Sequence, residues 1–272
     1  MKYLVPFDFT PITRTALEHA LFFSNTDNGQ IELLHIIDKE SKRAAVDAKF
    51  ADFLAGLDPK DKSKISTKIR EGDIYKDIAR EAKEGNFQLL VMGTHGAKGL
   101  QKLLGSHAIR VITSSNTPFV VTQKEAPKAS IERIVLPVDL SGERIQIATF
   151  ASDLAKKFDA EVLLVHAEEN DEFLTKRINN NLIKVKRTLQ HKEVRYTITP
   201  IKAKKSWADE VIEYGKEHEA DLFAIGYYPS TLLPQFESFS QDLITNRLGV
   251  PVLIANVEEV GGVRSNYSFV GI

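Results

Sequence analysis

The chain has 272 residues, of which 43% are hydrophobic and 27% charged, a composition typical of folded globular proteins. Its 36 Lys and Arg against 37 Asp and Glu leave a formal net charge of -1, which argues against a general polyanion binder. The absence of cysteine excludes disulfides, thiol catalysis and Cys-ligated zinc. No apolar run approaches the ~20 residues that span a bilayer, and the N-terminus is too briefly apolar for a signal peptide. We therefore expect a soluble cytoplasmic protein with neither a membrane nor a nucleic-acid partner.

β-rich apolar runs alternate with helical patterns along the whole chain, which predicts βαβ units and a mostly parallel sheet. Several runs are continuously apolar, as expected where helices cover both faces of a sheet. The predicted strands are 2–7, 31–37, 65–70, 88–92 and 118–122 in the first half, then 133–138, 161–167, 194–199, 221–225 and 251–255 in the second.

Three helix starts carry capping signals. Thr10 is predicted to cap the first helix with Pro11 at its first position, where the missing N–H has no consequence. Asp73 and Ser206 are predicted to cap helices 74–83 and 207–217. The segment 124–129 is interpreted as a linker.

Landmarks of the first half recur in the second at nearly one offset, so we interpret the chain as a duplicated domain. Two pairs lie 131 residues apart and two lie 133 apart: Asp8 and Asp139, His35 and His166, Gly93 and Gly226, Pro118 and Pro251.

Ligands of open parallel sheets collect beyond the carboxyl ends of the strands, where the strand order reverses. Asp8 follows the first strand, and a glycine loop that starts at Gly93 follows the fourth. Gly105 and Ser106 then open another helix, whose free N–H groups could seat a phosphate. Asp8 could accept a hydrogen bond from a ribose hydroxyl or hold a metal ion. The residues leave open that the glycines serve only turns and helix packing.

The residues 93–96, 105–106 and 116–121, together with 6–10, resemble the signature of the universal stress protein family, G-x2-G-x9-G-[S/T] before a final apolar strand. The resemblance covers nearly the whole chain, once per copy. It implies two tandem Rossmann-like domains (adenine nucleotide α-hydrolase-like), each a five-stranded parallel sheet in the order 3-2-1-4-5. It also implies a site for ATP or AMP, with Mg²⁺ accompanying ATP, between strands one and four. By position, the implied nucleotide-binding residues are Asp8 at the adenosine, Ile36 at the adenine, Met92 and Gly93 at the ribose, and Gly96, Gly105, Ser106 and His107 at the phosphates.

The chain departs from the family pattern in both copies. Only eight residues separate Gly96 from Gly105, where the pattern has nine. The missing residue could shift the phosphate-binding amides of the loop out of register for a triphosphate. In the second copy, the loop positions carry bulkier or donor-poor residues, so we predict no family-type nucleotide binding there. The replacements are Tyr228, Pro229, Ser238 and Phe239. We therefore divide the chain into a domain 1–125 with a partly retained motif, a domain 130–257 with a degenerate motif, and an unassigned tail 258–272.

No general base paired with a nucleophile, no carboxylate pair and no metal-binding histidine spacing is evident, so we predict no catalytic or metal residues. The leading hypothesis is a stress-response protein that binds an adenine nucleotide in a regulatory role. The alternatives are a scaffold of the same fold that binds no nucleotide, and a slow Mg²⁺-dependent ATPase that uses Asp8. A homodimer and an unidentified protein partner are left open. The basic run 184–192, after the acidic stretch 168–172, is interpreted as a solvated helix face.

Overall fold

The computed structural model describes residues 1–94, 117–140, 143–202, 204–227 and 238–256. The chain divides into two compact units, Met1–Pro127 and Lys128–Ile272. Within the described ranges, no helix combines the length and the apolar character that crossing a bilayer requires.

The first unit is an open α/β sheet whose strands are all parallel and run in the order β3-β2-β1-β4-β5. Its elements are β1 (Lys2–Pro6), α1 (Pro11–Asn25), β2 (Gln30–Ile37), a 3₁₀ turn (Glu40–Lys42), α2 (Arg43–Ala55), α3 (Pro59–Lys62), β3 (Ile65–Glu71), α4 (Ile74–Glu84), β4 (Leu89–Gly93) and β5 (Phe119–Thr122).

The second unit repeats this order as β8-β7-β6-β9-β10, again with parallel neighbours. Its elements are β6 (Arg133–Pro137), a 3₁₀ turn (Glu143–Gln146), α5 (Ile147–Phe158), β7 (Glu161–Ala167), α6 (Glu172–His191), β8 (Tyr196–Ile201), α7 (Trp207–Glu217), β9 (Leu222–Tyr227), α8 (Ser238–Ile244) and β10 (Val252–Asn256). The predicted fold class and strand order are confirmed in each unit.

The first strand of each unit is its innermost strand and is almost entirely buried. In β1, Leu4 and Val5 are inaccessible to solvent, and in β6 the same holds for Ile134 and Val135. β1 pairs with β2 on one side and with β4 on the other, so the strand order reverses at its carboxyl end. This reversal places any ligand-binding edge of the unit beside the residues that follow β1 and β4.

The predicted helix caps are only partly right. Asp73 Oδ1 accepts a hydrogen bond from Lys76 N at 2.9 Å, and Ser206 Oγ accepts one from Asp209 N at 3.1 Å, so both cap their helices as predicted. Thr10 stands at the N-cap position of α1 but makes no side-chain cap. Its hydroxyl donates to Asp8 instead, and Pro11 at the first helical position leaves one fewer N–H to satisfy.

Candidate functional site

A cleft opens at the carboxyl edge of the first unit, between the ends of β1, β2 and β4. Its free space is about 610 Å³ when the open solvent at its mouth is included. Four residues implied by the family resemblance line it: Asp8, Ile36, Met92 and Gly93. The other four, Gly96, Gly105, Ser106 and His107, lie outside the described residues.

Asp8 is the anionic group of this cleft, and its own neighbours fix its orientation. Its Oδ1 accepts three hydrogen bonds, from Thr10 N at 3.0 Å, Thr10 Oγ1 at 2.6 Å and Thr13 Oγ1 at 2.9 Å. Partial burial opposes ionisation of this carboxyl group, but the three hydrogen bonds and the nearby His35 outweigh it and lower its pKa. Asp8 is therefore ionised at neutral pH, and its Oδ2 has no hydrogen-bond partner among the described residues.

The backbone beside Asp8 takes an unusual conformation. Phe9 has a φ of 68°, in the left-handed region that bulky residues rarely adopt. The Phe9 ring packs against Phe50 at 4.8 Å and against the ring of His35 at 5.4 Å between centroids. His35 Nδ1 donates to the carbonyl oxygen of Phe7 at 2.6 Å, which ties the ends of β1 and β2 together. Aromatic packing and this hydrogen bond thus offset the backbone strain that follows β1.

Gly93 has a packing reason to be glycine. A Cβ atom on this residue would lie 2.5 Å from the carbonyl oxygen of Ile12, so α1 can approach β4 only because that atom is absent. The interpretation that the glycines serve packing therefore accounts for Gly93. It does not exclude a ligand, because Gly93 also lines the cleft.

The remaining walls of the cleft are mostly apolar. Met92 and Ile78 are 7% and 5% exposed, whereas Ile74, at the mouth, is 39% exposed. Apolar walls beside a single fixed carboxylate suit a flat ligand with an apolar face and a hydroxyl or amino donor at one edge. Among the described residues, no group of three or more His, Asp or Glu could hold a metal ion.

Sequence reasoning missed several residues of this cleft. Thr13 escaped notice because its contact with Asp8 arises only when α1 begins directly after the turn. His35 and His166 are equivalent landmarks in the sequence, but His35 Nδ1 bonds to the carbonyl oxygen of Phe7 and His166 Nδ1 bonds to that of Ala167. Ile74 and Ile78 lie one helical turn apart on α4, and this i, i+4 spacing was the available signal.

The corresponding edge of the second unit is built differently. The backbone oxygen of Asp139 accepts a hydrogen bond at 2.8 Å from Asn181 Nδ2, a side chain of α6 that is 4% exposed. Ser238 and Phe239 form the first two positions of α8, while Tyr228 and Pro229 lie outside the described residues. The absence of family-type nucleotide binding in this unit stays a prediction.

Fold and cleft together define a doubly wound α/β protein with a cleft at the strand switch of its first unit. Residues 1–123 match the model of the universal stress protein family. This match covers 123 of the 272 residues.

Two relatives and one solved structure are similar to part or most of this chain. Universal stress protein MJ0577 of Methanocaldococcus jannaschii is 25% identical over 155 residues, which are 46% of this chain and 95% of the relative. Universal stress protein MJ0531 of the same organism is 26% identical over 145 residues, 45% of this chain and 82% of the relative. A universal stress protein of Archaeoglobus fulgidus DSM 4304 has a similar fold, with a TM-score of 0.71 and 19% identity over 94% of this chain and 96% of that one.

Proposed function

We propose that this chain is a cytoplasmic stress-response protein that binds an adenine nucleotide, ATP or AMP, in its N-terminal unit. The observation that carries the proposal is the cleft in which the fixed Asp8 carboxylate faces apolar walls at the strand switch. The second unit, with its degenerate motif, binds no nucleotide in this proposal.

The described residues suit the nucleoside part of such a ligand. Ile36, Ile78 and Met92 offer an apolar surface for the adenine ring. Asp8 Oδ1 is saturated by Thr10 and Thr13, which leaves Oδ2 to accept a hydrogen bond from a ribose hydroxyl. Gly96, Gly105, Ser106 and His107 would hold the phosphates, and Mg²⁺ would enter with a triphosphate.

A regulatory role suits Asp8 better than catalysis does. A carboxylate whose pKa is lowered by hydrogen bonds is a weak general base at neutral pH. The groups that donate to Asp8 hold it in one orientation and make it a fixed acceptor. The slow-ATPase alternative predicts measurable ATP hydrolysis that Asp8→Asn abolishes. The binding proposal predicts the same background rate of ATP hydrolysis for the unmodified protein and for Asp8→Asn.

Isothermal titration with ATP and AMP, with and without Mg²⁺, tests the proposal. We expect about one site per chain. Asp8→Asn keeps the shape but removes the charge, so it should weaken binding about 10- to 100-fold, as for the loss of a charged hydrogen bond. Asp139→Asn, the equivalent change in the second unit, is the matched control and should leave binding unchanged. Equal weakening by both variants would contradict placement in the first unit.

A second variant separates the phosphate part of the site from the nucleoside part. Gly105→Asp introduces a carboxylate where the phosphates are proposed to bind, so it should weaken ATP more than AMP. If the unmodified protein binds no adenylate at all, the scaffold alternative replaces this proposal.

A further inference from the structure

After its first residue, Glu172, helix α6 of the second unit carries positive charges and no acidic residue. Residues 173–191 contain five Lys and Arg and no Asp or Glu: Lys176, Arg177, Lys184, Lys186 and Arg187. Four of these side chains are exposed and Lys186 is partly so. None of the five has an ion-pair partner within the described part of the chain, where many other cations are paired.

Two large apolar side chains stand out on the same helix. Phe173 is 71% exposed and Ile183 is 46% exposed, and they are two of the three large exposed apolar residues among those described. Successive steps of three and four residues join Phe173, Lys176, Asn180, Ile183 and Arg187, so these side chains follow one line along the helix. Arg177 and Lys184 lie beside it.

The opposite face of α6 is occupied by the core of the unit. Ile178, Leu182, Val185 and Leu189 are at most 6% exposed, so this face of α6 is packed into the unit. What it offers to a partner is a firmly held surface about 21 Å long, from residue 173 to residue 187. Cations dominate this surface, and the apolar side chains protrude between them.

We propose that this face of α6 (the basic stripe: Phe173, Lys176, Arg177, Ile183, Lys184 and Arg187) docks the protein on an anionic lipid surface. The cations complement the charge of lipid phosphates and carboxylates, and the two apolar side chains enter the boundary between headgroups and acyl chains. A nucleic acid would satisfy the cations but offers no comparable environment to Ile183. The acidic residues of segment 168–172 precede the basic stripe in the chain. One of them, Glu168, lies 3.9 Å from Lys202 Nζ.

Co-sedimentation with vesicles tests the proposal. The probes are vesicles of 30% phosphatidylserine in phosphatidylcholine, vesicles of phosphatidylcholine alone, and single-stranded polyuridylate. We expect binding to the anionic vesicles only, with weaker binding as the salt concentration rises, because salt screens exposed charges.

A triple variant, Lys176→Glu, Lys184→Glu and Arg187→Glu, should weaken vesicle binding at least about 100-fold, since each cation near an anionic surface contributes roughly a factor of five. The matched control reverses three exposed lysines of the first unit, Lys60→Glu, Lys62→Glu and Lys83→Glu, with the same change in net charge. Equal loss in both variants would overturn the proposal, because only total charge would then matter.

The apolar pair separates lipid from nucleic acid. Phe173→Ser with Ile183→Asn keeps every charge and should weaken vesicle binding about tenfold while the adenylate titration stays unchanged. Binding to polyuridylate but not to anionic vesicles would overturn the proposal, as would vesicle binding that the apolar pair does not affect. Because all substituted side chains are exposed, circular dichroism should show that each variant remains folded.

Discussion

The two units differ in chemistry at one equivalent position. In each unit this position lies where the helix before the fourth strand packs against the second and third strands. In the first unit, Glu81 of α4 is 2% exposed and pairs with Lys68 at 2.6 Å and with Arg70. The second unit has Tyr214 at the equivalent position of α7, with its hydroxyl 3.1 Å from Thr199 and its ring 3.8 Å from His218. A buried carboxylate with two cations in one copy therefore corresponds to a tyrosine with hydroxyl and ring contacts in the other.

This difference teaches that the charges do not specify the topology. Both units have the same strand order and the same register, with Ile31 opposite Ile65 and Val162 opposite Tyr196. Backbone hydrogen bonds and the buried apolar runs of the strands are common to both. Replacing a buried ion pair by well-packed neutral groups is often neutral for stability, because the ion pair has to offset its own desolvation.

The largest expected effect comes from removing the charge of Glu81 in the first unit. Glu81→Gln should lower the free energy of unfolding of the first unit by about 3 kcal/mol, because the buried carboxylate loses charged contacts with Lys68 and Arg70 that contribute about 1.5 kcal/mol each. Hydrogen exchange of the β1 and β4 amides measures it. Glu84→Gln, at a side chain that is 60% exposed and 3.8 Å from Arg70, should change it by less than about 1 kcal/mol. Equal effects would show that burial of Glu81 is irrelevant.

A second variant tests the close approach of α1 to β4. Gly93→Ala should destabilise the first unit by about 2 kcal/mol, because the added methyl group meets Ile12. In Gly56→Ala, the nearest atom to the new Cβ would be 3.6 Å away, which is ordinary contact. That control should be neutral or slightly stabilising in the same exchange experiment, since alanine restricts the unfolded chain.

The hydroxyl contact of Tyr214 in the second unit should contribute less to stability than the ion pairs of Glu81 in the first. Tyr214→Phe removes one hydrogen bond to Thr199 and should lower the free energy of unfolding of the second unit by about 1 kcal/mol. Trp207, the single tryptophan of the chain, lies at the start of α7 and reports urea unfolding of this unit by fluorescence. A loss as large as that of Glu81→Gln would contradict the comparison.

The smallest expected effect is the pH dependence of the stability of the first unit. His19 is 4% exposed, with Nε2 3.0 Å from the carbonyl oxygen of Glu125, and burial lowers its pKa from 6.5. Below pH 6.5 the unfolded chain therefore binds more protons than the folded unit, so stability decreases as the pH falls. The loss between pH 7 and pH 6 should be about 0.5 kcal/mol, measured by exchange in the first unit. His19→Gln should flatten this dependence, and an unchanged slope would assign it to another group.

Local patterns were sufficient for much of the fold. Apolar runs predicted the strands to within one or two residues, and the Asp73 and Ser206 caps followed from residues only three positions apart. The recurrence of landmarks predicted the duplication, and the resemblance to a family supplied the strand order. These features depend on short-range periodicity and on backbone chemistry, which are visible in the sequence itself.

Only the tertiary structure decided the chemistry of the cleft and of the charged cluster. Thr10 has the residue type and position of a helix cap, yet its hydroxyl is 2.6 Å from Asp8 because the turn at Phe9 brings the two together. Glu32, Lys68 and Glu81 come from three different elements and meet only when β2, β3 and α4 pack. Residue types predict which contacts are chemically allowed. Which of them form is decided by the packing of elements that are distant in sequence, because each side chain has several allowed partners and only the assembled fold selects among them.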